Sequence, residues 1–136
     1  MHSLMKRPAV VTLLATIAAS AVAHAAEPSL TAGGWSVVEM AGKRLRTPAT
    51  IDFTRVRWLD IKTACGPLWG WYRQSGASLK IHIPGQTRYV VGSGSPCRGI
   101  DFRLLLGRVR SYEAEADSLV LLNDAGKAVA RLARRK

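Results

Sequence analysis

From Trp35 onward, apolar and polar residues alternate in short runs, as in Trp35-Ser36-Val37 and Leu79-Lys80-Ile81-His82-Ile83. A period of two sends successive side chains to opposite faces of a strand, so each run reads as a half-buried β-strand. Strand cores are expected near residues 35–40, 50–53, 56–63, 70–74, 78–83, 88–91, 111–116, 119–123 and 128–132. Gly, Pro, Asp and Asn punctuate them at the spacing of an antiparallel β protein. Gly76-Ala77 and Asp117-Ser118 read as tight connections, and Asp124-Ala125-Gly126 as a three-residue hairpin loop with Gly where a positive φ is needed.

One segment departs from this period. Phe102, Leu105, Leu106 and Val109 fall at i, i+3, i+4 and i+7, the spacing of one helical face. The pattern predicts a single helix over about residues 96–110, with Ser95 as N-cap, Pro96 in the first helical position, and Arg108 and Arg110 complementing the C-terminal dipole. Gly107 weakens such a helix by about 1 kcal/mol relative to Ala. Tyr72 before Leu79 and Tyr112 before Leu119 repeat one spacing, which ordinary hairpin packing explains without a duplication.

The first 25 residues follow a different logic. Lys6-Arg7 precedes an apolar run from Ala9 to Ala23, and Ala23-His24-Ala25 forms an A-x-A site. That order is the signature of a secretory signal peptide, and the run is shorter than the roughly 20 residues a membrane-spanning helix requires. Cleavage after Ala25 leaves a single domain over residues 26–136 in the periplasm or outside the cell. An uncleaved anchor is the alternative, opposed by the polar stop at Glu27-Pro28-Ser29. No Cys follows the cleavage point to carry a lipid.

Export changes how Cys65 and Cys97 read, because disulfides persist in oxidising compartments. Paired, they close a loop of 33 residues, which in the chain-entropy model stabilises a small domain by about 4 kcal/mol. Buried free thiols or one reactive Cys are the alternatives. A bond between them would pin the helix to the sheet.

Charge adds a constraint on partners. Lys plus Arg outnumber Asp plus Glu by 20 to 9, and the hydrophobic fraction of 48% still permits a core. Basic residues recur with period two at Arg44 and Arg46, Arg55 and Arg57, and Arg108 and Arg110. On a strand that spacing makes one face, which would hold phosphates of an anionic envelope component or serve only as a solubilising surface. Trp69 and Trp71 alternate with Gly70 and Tyr72, so both indoles project with Arg73, either as a contact patch or into the core. Arg55, Arg57, Trp69, Trp71 and Arg73 are thus the candidate contact surface.

Reactive chemistry finds little support. Once the leader is gone His82 is the only histidine, and its alternation with Ile81 and Ile83 points it away from them. A Cys–His dyad would need a free thiolate in an oxidising compartment. Glu113 and Glu115 share one strand face, but no carboxylate pair can be shown to flank a cleft. Gly92-Ser93-Gly94-Ser95 lacks the Lys and the spacing of a phosphate loop. The expectation is a protein with no catalytic residues, no cofactor and no metal, and no motif favours nucleic acid as a partner.

In order and spacing, these residues resemble the META/HslJ domain family. Ala64-Cys65-Gly66-Pro67-Leu68-Trp69-Gly70-Trp71-Tyr72 is similar to its Gly-Cys-Asn and Gly-x-Tyr element. Pro96-Cys97, the helical Phe102, Leu105 and Val109, then Tyr112, Leu119, Leu121, Asp124, Gly126 and Leu132 follow the order of its C-terminal half, and Trp35 matches its first-strand Trp. Gly66 stands where the family has Asn, and Trp69 and Trp71 stand where small or polar residues are usual. The resemblance implies an α+β fold that is mainly β: a small antiparallel β-barrel-like or curved sheet of about eight strands with one packed helix. It also implies an exported or membrane-attached protein with no established catalysis, associated with heat-inducible expression, envelope-linked antibiotic resistance and virulence-related roles. A binding or stress-tolerance role is expected; the alternative is an interaction or inhibitor module acting on an extracytoplasmic protein.

Overall fold

The computed structural model describes residues 29–84 and 100–135. Nine strands occur in the order β1 (Trp35–Met40), β2 (Lys43–Arg44), β3 (Thr50–Phe53), β4 (Trp58–Thr63), β5 (Gly66–Ser75), β6 (Ser78–His82), β7 (Ser111–Ala114), β8 (Ser118–Leu122) and β9 (Ala128–Arg134), with α1 (Phe102–Leu106) between β6 and β7. Eight of them, β1 and β3 to β9, are antiparallel neighbours in sequence, and β1 pairs back onto β9 to close a barrel. The short β2 pairs only with the end of β1, through Glu39↔Arg44 and Met40↔Lys43.

Closure fixes which side of each strand is wet. Leu59 and Ile61 of β4, Leu68, Gly70 and Tyr72 of β5, and Leu79 and Ile81 of β6 turn inward, while the residues between them face out. Leu119, Leu121, Val129 and Leu132 complete the same layer from β8 and β9. Among the described residues, the buried set contains no charged side chain.

One end of the barrel is sealed around Trp35. Its indole is fully buried, donates from Nε1 to Leu30 O at 3.1 Å, and lies beneath the Arg134 guanidinium, 4.4 Å from the ring centroid. Arg134 also donates to Ala116 O at 3.0 Å and to Ala32 O, tying the chain before β1 to the end of β9. A cation over an indole and backbone carbonyls around it satisfy both partners at once.

The opposite wall has a seam. β6 and β7 share the single register pair Ser78↔Ser111, and the backbone bonds Leu79 N to Arg110 O and Tyr112 N to Ala77 O, both 3.0 Å, hold them there. α1 occupies the space beyond, inserting Phe102 and Leu106 into the core, and Arg103 Nε donates to Ile83 O at 3.0 Å.

The helix is shorter than its apolar spacing predicts, and its cap differs. Asp101, not Ser95, is the N-cap, its carboxylate accepting from Leu104 N at 3.0 Å. Ser95 and Pro96 lie outside the described residues, as do the leader, Cys97 and the expected strand at 88–91. Gly107 ends the helix rather than weakening its middle. Val109 is nevertheless fully buried, so the i+7 position reached the core without helical geometry. Arg110 donates from NH1 to Gly107 O at 2.9 Å and Val109 O at 2.8 Å, satisfying carbonyls just past the helix end. Among strands, β2 was not expected, β5 begins four residues earlier than predicted, and the turn near Asp117 gives Ser118 to β8. Glu115 follows β7, so it does not share a strand face with Glu113.

Gly70 is a tight position in the sheet. An ideal Cβ there would lie 2.2 Å from His82 O, inside backbone rather than a movable side chain. Gly70→Ala is therefore expected to destabilise by at least about 2 kcal/mol, read as a lowered midpoint in chemical denaturation; a midpoint within error of the parent would show that β6 does not need this approach.

Tyr72 is buried against Phe53, ring centroids 5.1 Å apart and edge to face, and donates from its hydroxyl to Thr54 O at 2.5 Å. Burial raises its pKa from 10.0, opposed in part by the positive charge of Arg57. The folded state thus holds this proton more tightly than the unfolded chain. The associated stability is intact below pH 10.0 and is lost as pH rises through the folded value. Tyr72→Phe is expected to lose about 1 kcal/mol at neutral pH, from the missing hydrogen bond, and to show a shallower alkaline decline; equal alkaline slopes in urea titrations would rule this out.

Candidate functional site on the outer wall of β4 to β6

Two hairpins set the lateral order of the outward side chains. Thr63↔Gly66 closes β4 and β5, so Trp58 stands opposite Trp71 and Asp60 opposite Trp69. Ser75↔Ser78 closes β5 and β6, so Trp71 stands opposite His82 and Arg73 opposite Lys80. All of these residues except part-covered edges face solvent.

Three indoles consequently meet on the outside of the barrel. Trp58, Trp69 and Trp71 are 46%, 48% and 42% exposed. Their centroids are 5.5 Å apart for Trp58–Trp69, 6.3 Å for Trp58–Trp71 and 6.4 Å for Trp69–Trp71, with the first two pairs edge to face. His82 extends the cluster, its ring 4.6 Å from that of Trp71. Such mutual packing orders large apolar surfaces that stay in contact with water.

The loop beside the cluster is equally fixed. Thr54 N donates to Trp58 O at 2.9 Å, and Thr54 Oγ1 both accepts from Trp58 N and donates to Trp58 O at 3.0 Å. Between them Arg55, Val56 and Arg57 form the tip, with Val56 strongly exposed. Arg57 closes it at φ 68°, a left-handed backbone in which a side chain costs about 1 kcal/mol. Its carbonyl accepts from Tyr72 N at 3.0 Å, locking the tip to β5.

Charges on this wall are arranged against local preference. Arg73 and Lys80 are directly opposite across β5 and β6, and Asp52 and Asp60 across β3 and β4; like charges in such pairs are destabilising. Asp52 is relieved by Arg135 at 3.8 Å, and the other ion pair among the described residues joins Arg131 to Glu39 at 3.8 Å. Neither reaches Arg73 or Lys80. Arg57, Arg73 and Lys80 together line one groove, and Trp71, Arg73, Lys80, His82, Gly107 and Arg110 line a second of about 490 Å3.

Of the five residues expected to make a contact surface, Trp69, Trp71 and Arg73 share the outward face of β5. Arg55 and Arg57 belong to the β3–β4 turn and not to a strand, so their spacing of two does not make a strand face. The same correction applies to Arg108 and Arg110, which follow α1, and to Arg46, which follows β2. Turns reset side-chain direction, which period two cannot detect. His82 faces outward as its alternation predicts. Trp58 was missed, although counting back along the strands from the turn at Ala64-Cys65 places it opposite Trp71. Among the described residues no cysteine is free.

The sequence matches the META domain family over residues 28–136. Among solved structures, a DUF4847 family protein from Bacteroides vulgatus ATCC 8482 is similar, with a TM-score of 0.61 and 14% identity over 79% of this chain and 95% of that one. At that identity the likeness concerns the fold. Comparison with curated proteins gave no match. The closed eight-stranded barrel, the short helix α1 and the family match over residues 28–136 lead to one conclusion: the chain belongs to the META domain family.

Proposed function

We propose that this chain is an exported, non-catalytic META-domain protein that binds an anionic component of the cell envelope through the outer wall of β4 to β6. The observation that carries the reading is the juxtaposition of three solvent-facing indoles with Arg73 and Lys80, which have no acidic partner among the described residues. Without Lys6 and Arg7 of the leader the exported form has a net charge of +9, which attracts such a partner from a distance. Binding on the wall is further supported by the barrel interior, where apolar side chains fill the space a ligand would need.

Export rests on the leader at residues 1–25. Among the described residues no helix is long and apolar enough to cross a membrane. A Cys65–Cys97 bond accompanies this reading: Cys97 is the other cysteine of the chain, and the β4–β5 turn lies at the barrel end where β6 finishes and the path to α1 begins. The exported protein is expected to start at Ala26 and to contain no free thiol when denatured without reductant; two free thiols would revive a thiol-based activity.

Binding of the exported protein to lipid A, anionic phospholipid vesicles and peptidoglycan fragments, each at low and high salt, tests the function. Saturable binding is expected to one of them, weakened by salt and by Arg55→Ala with Arg57→Ala. Trp69→Ala with Trp71→Ala is expected to abolish it while costing about 1–2 kcal/mol of stability, the worth of the lost ring contacts, against about 3–5 kcal/mol for Trp35→Ala. No binding across the panel would reject the envelope reading and favour the alternative, an extracytoplasmic protein as partner.

A further inference from the structure

Resting on that wall as a binding surface, we propose a specific site within it: the groove between Trp71 and Arg110 takes a phosphorylated sugar. Trp71, Arg73, Lys80, His82, Gly107 and Arg110 line it, and among the described residues no carboxylate does. Its cationic groups come from three separate places in the chain. Arg73 and Lys80 are held opposite each other by the β5–β6 register, and Arg110 enters from beyond the seam, where its carbonyl accepts from Leu79 N.

The side chains are prepared for an anion. Arg110 is anchored by two bonds from NH1 to Gly107 O and Val109 O, which leaves its Nε and second amino group as donors. Arg73 and Lys80 repel each other until an anion lies between them. A phosphate monoester suits this set, since it carries nearly two negative charges and three acceptor oxygens. Positions that break a local rule without compensation within the fold are where function is expected.

The second half of the ligand is set by Trp71 and His82. Their rings pack 4.6 Å apart and form the apolar wall beside the cations. A sugar ring presents a face of C–H groups that packs on an indole and hydroxyls that bond to an imidazole nitrogen. Inorganic phosphate would use the cations alone, and a neutral sugar the rings alone. A phosphorylated hexose uses both, whether free in solution or as the headgroup of a lipid.

Calorimetric titration and Trp fluorescence, with glucose 6-phosphate, glucose and inorganic phosphate as separate probes, test the assignment. Vesicles of phosphatidylcholine with and without lipid A form a fourth arm. Glucose 6-phosphate is expected to bind at least about tenfold tighter than either half, and to raise Tm. Lys80→Glu is the central variant, because it places opposite charges across the register and is expected to keep or raise the Tm of the unliganded protein while abolishing binding. Lys43→Glu on β2 makes the same charge change elsewhere and is expected to leave binding unchanged.

Response to lipid A vesicles alone, lost in Lys80→Glu, would support the site and identify a lipid headgroup as the source. Equal affinity for inorganic phosphate and glucose 6-phosphate would overturn the sugar half, and no binding of any probe would overturn the site. The two readings separate cleanly: envelope binding that survives Lys80→Glu rejects the groove but not the wall, whereas glucose 6-phosphate binding without envelope binding rejects the wider function and keeps the groove.

Discussion

Pairing of β1 with β9 is the constraint on which the rest of the structure depends. Once the sheet closes, a strand that slips by one residue turns its apolar set to water, so the strand pairings, with bulges between Val37 and Glu39 and between Leu121 and Leu122, assign side chains to inside or outside. The inside is then consumed by packing. Around Trp35 the closure is reinforced by Arg134, whose guanidinium serves ring, strand end and preceding loop together. On the exterior, the same pairings that build the core determine which indoles and cations become neighbours.

Gly70 links the two surfaces. It takes the place of a side chain in the inward row that includes Leu59, and the absence of a Cβ there leaves room for His82 O, which would otherwise lie 2.2 Å from it, while the outward His82 ring packs against Trp71. Packing and surface chemistry therefore share one residue. The left-handed Arg57 plays a comparable part for the hairpin tip, where a conformation better suited to glycine carries a guanidinium instead.

Much of this was readable from the chain. Alternation in β4, β6 and β8 set the faces, and the turn at Gly76-Ala77 was enough to place Arg73 opposite Lys80 and Trp71 opposite His82. Trp58 escaped notice because β5 was expected only from residue 70, so the tight turn at Ala64-Cys65 from which its register with β4 is counted went unrecognised. The helix was misjudged for another reason: apolar residues at helical spacing were all buried or part-buried, yet only five residues adopt the helix, and Val109 reaches the core from the segment that follows. Spacing reports which residues are buried more faithfully than the backbone that buries them. Arg55 and Arg57 illustrate the converse, since a regular spacing across a turn carries no common direction.

The seam between β6 and β7 gives the groove an unusual mechanical character. Arg73 and Lys80 stand on a continuously bonded stretch of wall, whereas Arg110 stands across a junction with one register pair. The groove is thus a joint as well as a surface: its two sides are fastened to each other less firmly than either is to the barrel. Anything gripping both would act as a clasp on the least bonded line of the wall, so occupancy and the resistance of the barrel to opening there would rise together.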